Sequence, residues 1–160
     1  IEQLPSTQKE RIERAVTHQL RPVSPIPAGR RAAAYGANAM LDLSDGLVKD
    51  ARRIAEASGV DIVFNDSAIT ELARELVPVA SLILEHQPHN DHGDSAVSLA
   101  RECVLGGGED HGLLACFPAG AMIPEGFVAL GSCRTQERSA SRILCDGYEL
   151  QNYGWEHYRA

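Results

Sequence analysis

Apolar positions recur at a helical interval near the start of the chain. Ile12, Val16 and Leu20 fall at i, i+4 and i+8 beside Gln8, Lys9, Glu10 and Arg11. A stripe of this kind predicts an amphipathic helix over 7–20, with Ser6 or Thr7 as its N-cap. Pro22, Pro25 and Pro27 then force an extended connection, because proline fixes its own φ and drives the preceding residue out of the helical region. A short helix is expected over 28–35, stopped by Gly36. The period changes at Ala39-Met40-Leu41-Asp42-Leu43, a short apolar run that predicts a buried strand. Leu47, Ala51, Ile54, Ala55 and Ser58 return to helical spacing, and Gly59 supplies the stop.

The alternation resumes at Val60–Phe64, read as a strand. Residues 67–84 carry a helical pattern interrupted at Pro78, and 86–94 is a polar loop. Another helix is expected from Ser95 to Cys103, ended by Gly106–Gly108. Strands are expected over 111–117, 127–133 and 141–145, separated by a Pro/Gly loop and a polar stretch. Helices and strands intermix along the whole chain, so the fold class is α/β (α+β), with a mixed β-sheet flanked by helices. Residues 1–38 read as an N-terminal helix and Pro-rich linker leading into one domain over 39–160.

Composition narrows the partners. The chain has 160 residues, 44% of them hydrophobic, enough for one domain with a core. A net charge of −7 argues against nucleic acid or an anionic membrane surface as the main partner. No stretch has the roughly 18 consecutive apolar residues of a membrane span. Cys103, Cys116, Cys133 and Cys145 form no CxxC pair and read as reduced core thiols, which fits a cytoplasmic protein. The chain opens at Ile1 and is read as a piece of something longer.

Two segments stand out chemically, Asp42-Leu43-Ser44-Asp45-Gly46 and Gly106-Gly107-Gly108-Glu109-Asp110. Each sets carboxylates and glycine at the edge of an apolar element. Asp42 and Asp45, three apart across a strand-to-helix turn, can converge on one cation or two adjacent ones. Ser44 between them has a hydroxyl and an N–H to reach a phosphate oxygen. Mg²⁺ takes oxygen ligands from one or two carboxylates and shares substrate phosphates, which suits such a turn. The glycines of the second segment let backbone approach a ligand, and Glu109-Asp110 set carboxylates at the mouth of the next strand. Plainer readings stand beside these: an Asp N-cap for the first, a glycine C-cap with solvated acids for the second. Neither a P-loop nor a dinucleotide fingerprint occurs.

Other polar clusters read as surface. His86, His89, Asp91, His92 and Asp94 have ligands suited to zinc or nickel but lie in a loop expected to be solvated. His111 is read as a strand edge. Arg30-Arg31 and Arg52-Arg53 are read as solvated helix faces, with the alternative that one reaches a phosphate.

Taken in order, AMLDLSDGL (39–47), ASGV (57–60), LGGGEDHGLL (105–114), GFVALG (126–131) and GWEHY (154–158) resemble the C-terminal domain of the thiamine-monophosphate kinase family. That family belongs to the aminoimidazole-ribonucleotide synthetase-like superfamily, whose members pair two α/β domains. The resemblance implies ATP-dependent phosphorylation of thiamine phosphate to thiamine diphosphate by metal-assisted in-line transfer, with Mg²⁺ as cofactor and ATP as co-substrate. It implies Mg²⁺ ligation by Asp42 and Asp45, an ATP contact from Ser44, and thiamine-phosphate contacts from Glu109 and Trp155. A cationic thiazolium against the Trp155 face is physically apt, while packing of a chain end is the plainer alternative. The family's N-terminal ATP-binding domain, which carries its homodimer contact, has no counterpart here. The chain alone is therefore expected to lack kinase activity. A purine-pathway or selenophosphate synthetase of the same superfamily, and a non-catalytic ligand-binding module, remain as alternatives.

Overall fold

The computed structural model describes residues 5–86, 95–109, 111–151 and 153–154. The loop cluster around His89, Asp91, His92 and Asp94 lies outside them, as do Asp110 and Trp155. Helix α1 spans Ser6–Leu20 and α2 Ile26–Ala34. Strand β1 (Ala39–Asp42) leads through the DLSDGL turn into α3 (Leu47–Ser58), followed by β2 (Val60–Phe64). Helices α4 (Asp66–Arg74), α5 (Val77–His86) and α6 (Ala96–Gly106) come next, then β3 (Leu113–Cys116), β4 (Gly131–Thr135), β5 (Ile143–Cys145) and β6 (Tyr148–Glu149).

The mixed sheet has strand order β4-β2-β5-β6, with β2 parallel to β5 and antiparallel to β4. β1 and β3 form a separate antiparallel pair, Leu41 opposite Leu114. Helix α3 touches both sheets and α6, so its apolar face is the centre of the core. Leu47, Val48, Ala51, Ile54 and Ala55 from that face meet Ile62, Phe64, Ile69, Leu105 and Ile143. Gly59 ends α3 with φ 63°, a left-handed cap that its lack of Cβ makes inexpensive. A second cluster, Ala73, Ala80, Leu99 and Ala100, joins α4, α5 and α6.

Several expectations need correction. Helix α1 begins after Pro5 with no side-chain cap, so neither Ser6 nor Thr7 plays that part. β1 is not buried: Met40 and Asp42 are exposed and Ala39 and Leu41 half-buried, because only one face of a two-stranded ribbon meets the core. β4 starts at Gly131, four residues later than the apolar run at Phe127. Gly131 itself lies so close to Val63 O, 2.1 Å from where a Cβ would sit, that only glycine fits the ladder there. Of the four cysteines, only Cys145 is buried; Cys103 and Cys133 are exposed and Cys116 half-buried.

One buried polar anchor fixes the sheet from outside the site. Asp61 on β2 accepts hydrogen bonds from the backbone N–H of Arg142 at 2.9 Å and from its guanidinium at 3.1 and 2.5 Å. The Arg142 guanidinium holds the Asp61 carboxyl below the usual carboxylate range, against the opposing effect of burial.

Candidate functional site

The two acidic glycine segments, more than 60 residues apart in sequence, meet backbone to backbone. The Glu109 N–H donates to Ser44 O at 3.0 Å, and the Leu43 N–H donates to Gly112 O at 2.8 Å. A Cβ at Gly108 would lie 2.4 Å from Ser44 O, and one at Gly46 would lie 2.7 Å from Gly106 O. Gly154 closes the third side, with a Cβ there 2.5 Å from Asp45 O. Three glycine-bearing strands of chain thus pack with no room for a methyl group, which is why glycines surround these acids. Gly46 also has φ 117°, a conformation L residues rarely adopt. Glu109 (φ 66°) and His111 (φ 52°) take left-handed conformations without being glycine, a local strain of the sort concentrated at functional sites.

The result is a cleft of about 630 Å³, its lining including Gln19, Ser44, Asp45, Glu109 and His111. Ser44, Asp45 and Glu109 are therefore brought together. Asp42 is exposed at the end of β1 and is not part of this lining. Trp155 lies outside the described residues, although its neighbour Gly154 touches the turn.

The turn is organised by Asp50, which sequence reasoning passed over as an ordinary helix residue. Its side chain is fully buried. Its Oδ2 accepts the backbone N–H groups of Ser44 (2.9 Å), Asp45 (3.0 Å) and Gly46 (3.2 Å). The Ser44 N–H, expected to reach a phosphate, is therefore already engaged. Asp50 is one turn into α3, so the amides of the preceding turn point back at it; its i+5 spacing from Asp45 was the available signal. Arg53 binds Asp50 Oδ1 at 2.5 Å and also the Asp45 carboxylate. The hydrogen bond to Asp45 is the main cause holding the Arg53 guanidinium above its usual pKa. Lys49 Nζ lies 3.6 Å from the same Asp45 carboxylate. Asp45, 6% exposed, thus lines the cleft with its carboxylate charge compensated from the helix side.

This overturns the reading of Arg52-Arg53 as a solvated helix face. Arg53 is about half exposed yet bridges two aspartates. Arg52 donates to Leu150 O at 2.8 Å and to Ser141 O at 3.5 Å, tying α3 to the β5–β6 side. Two further cleft residues were missed. Gln19 of α1 donates its amide to Glu109 Oε2 at 3.2 Å, a contact across 90 positions that no local pattern reveals. His111, set aside as a strand edge, precedes β3 and lines the cleft.

Ser44, Asp45 and Glu109 present oxygen donors, a set suited to a hard cation. Among the described residues no three His, Cys, Asp or Glu side chains gather as a metal site, so these residues would supply only part of a Mg²⁺ site, the rest coming from other oxygens.

Over 138 residues the chain is 39% identical to the thiamine-monophosphate kinase of Mycobacterium tuberculosis, covering 86% of this chain and 36% of that protein. The chain is homologous to part of a thiamine-monophosphate kinase. The kinase of Aquifex aeolicus is 29% identical over 143 residues, covering 89% of this chain and 41% of the kinase. The solved AaThiL complex with AMPPCP and TMP superposes with a TM-score of 0.60 at 30% identity, over 89% of this chain and 40% of that one. No protein-family model matches. The chain spans roughly two-fifths of the length of these kinases. Its α/β fold with a mixed sheet agrees with that of the solved kinase. Among the described residues no helix is long and apolar enough to cross a membrane.

Proposed function

We propose that this chain is the C-terminal, substrate- and metal-side domain of a cytoplasmic thiamine-phosphate kinase. The observation that carries the reading is the union of Ser44, Asp45 and Glu109 in one glycine-walled cleft, in a chain related to kinases of that name. The relatives' shared name disfavours the purine-pathway and selenophosphate alternatives.

In this reading Asp45 would hold Mg²⁺ from the cleft, Ser44 contacts ATP, and Glu109 and Trp155 contact thiamine phosphate; Asp42, exposed at the end of β1 outside the cleft lining, would serve a second, adjacent ion. Mg²⁺, when bound, would neutralise charge on the phosphates. The rest of the work belongs to the chain itself. Asp50 fixes the turn by accepting three amides, and Arg53 orients Asp45 from behind. Gln19 steadies Glu109. The acceptor is a phosphate oxygen already ionised at neutral pH, so no general base is required and positioning is the main catalytic contribution. Transfer is direct, without a phosphoenzyme.

The ATP-binding half and its homodimer contact lie in the remaining three-fifths of the kinase length. The chain alone gives no turnover. The test is a coupled ADP assay with thiamine phosphate, ATP and Mg²⁺ on the longer protein that carries this chain as its C-terminal domain. Wild type turns over, while Asp45→Asn and Glu109→Gln each lose at least about tenfold in kcat/KM, or 1.4 kcal/mol. Full activity in both variants would refute the assignment.

A further inference from the structure

Cys116 and Cys133 are 17 residues apart, yet their sulfurs approach to 3.7 Å. They belong to different sheets. Cys116 ends β3, which among the described residues pairs with β1 alone, while Cys133 is central in β4, the edge of the four-stranded sheet. The segment between them, with the edge-to-face pair Phe117–Phe127 at 5.9 Å, lines a second cavity of about 760 Å³. Among the described residues none of that lining is charged. Nothing in the proposed kinase reaction uses either thiol.

We propose that Cys116 and Cys133 are a reversible modification site, forming an intramolecular disulfide on reaction with a small-molecule disulfide such as oxidised glutathione. The bond links the two sheets across the apolar cavity. The geometry favours it: the sulfurs already lie in van der Waals contact at 3.7 Å, within reach of a bond of about 2.0 Å. The environments of the two thiols divide the labour. Cys133 is exposed and meets the oxidant first. Burial, with the neighbouring thiol, pushes the Cys116 thiol up to about 11, so it is a poor first nucleophile and serves as the resolving group.

The steps balance. The Cys133 thiolate attacks one sulfur of oxidised glutathione, forming a mixed disulfide and expelling one glutathione thiolate, which takes up a proton. Cys116 then loses its proton and attacks the Cys133 sulfur, expelling the second glutathione. The two cysteines together give up two protons and two electrons, and the oxidant's disulfide becomes two thiols. Cys145, buried on β5 with its sulfur 3.8 Å from Asp66 Oδ1, stays reduced, and exposed Cys103 on α6 can take up glutathione but does not join the cross-link.

The test is incubation of the folded chain with oxidised glutathione, alkylation of remaining thiols, and non-reducing peptide mass spectrometry. A Cys116–Cys133 cross-linked peptide, lost on adding dithiothreitol, is expected. In Cys116→Ser the glutathione adduct should stop on Cys133, and in Cys133→Ser adduct formation at the pair should fall at least about tenfold, because the exposed first nucleophile is gone and Cys116 is half-buried. A wild-type chain that accumulates Cys133–glutathione without the cross-link would overturn the proposal. A link to Cys103 or Cys145, or four thiols left free at full oxidant exposure, would do the same.

Discussion

The cleft around Ser44, Asp45 and Glu109 is walled by backbone packed on backbone, whereas the cavity lined by the 112–133 segment is walled by side chains between two sheets. In the first, three glycines stand where a Cβ would collide with a neighbouring peptide group, and one buried carboxylate holds three amides. Among the glycines lining the second, backbone crowding is confined to Gly131 in the β-ladder, and Gly120 has φ 77° but nothing within 4 Å of its Cβ position. The two regions therefore respond differently to the same kind of change. The polar cleft is over-determined and holds unusual conformations. The apolar cavity depends on ring and methylene contacts that can rearrange.

The largest difference should come from Asp50. Asp50→Ala leaves three amides of the turn without their carboxylate, and unpaired buried donors cost about 1–3 kcal/mol each when no water replaces the partner. A loss of about 4 kcal/mol in urea-unfolding stability is expected, since water can recover part of the total. Asp50→Asn, which keeps one acceptor oxygen, should recover about half of that loss. Asp50→Ala within about 1 kcal/mol of wild type would show that the turn does not depend on it.

A matched glycine pair sharpens the contrast. Gly46→Ala meets both a positive φ and Gly106 O at 2.7 Å, so about 3 kcal/mol or more is expected. Gly120→Ala meets only the φ strain, for about 1 kcal/mol. Equal losses in thermal or urea unfolding would mean that crowding around the DLSDGL turn contributes nothing. Of the same size is Phe127→Leu, which removes the edge-to-face contact with Phe117 and should cost about 1 kcal/mol. It should leave the amide resonances of Ser44, Asp45 and Gly46 in place.

The pH dependence separates both clefts from the sheet anchor. Asp61 has a folded pKa below its unfolded value, so the unfolded chain binds the extra proton as pH falls. The stabilisation is complete above the ordinary carboxylate pKa near ~4 and is lost as pH drops through the lower folded value. The urea midpoint of wild type should therefore fall between about pH 5 and pH 3 more steeply than that of Asp61→Asn. Identical slopes would remove Asp61 from the account.

Most of the order of elements was legible in the sequence, because α3, β2, α6 and the split at Pro78 carry strong local periods and stops. Both segments of the candidate site were legible as well, since glycine next to acid at an element's end is a local signal. What joined them was not. The contact between Ser44 O and the Glu109 amide, the reach of Gln19 to Glu109 and the approach of Cys116 to Cys133 are set by tertiary packing across 65, 90 and 17 positions. The role of Arg53 was misread for a related reason. A half-exposed arginine on a polar helix face looks solvated until the buried aspartates behind it are placed.

The glycine-walled cleft, and not the larger apolar cavity, should be the ligand face. Amide chemical shifts followed by ¹H–¹⁵N NMR, as Mg²⁺ and thiamine phosphate are added to the chain, test it most directly. Shifts should concentrate at Ser44, Asp45, Gly46, Gly108, Glu109 and His111, and Asp45→Asn should abolish them. Shifts confined to residues 112–133, or a wild-type spectrum unchanged at millimolar ligand, would contradict the claim.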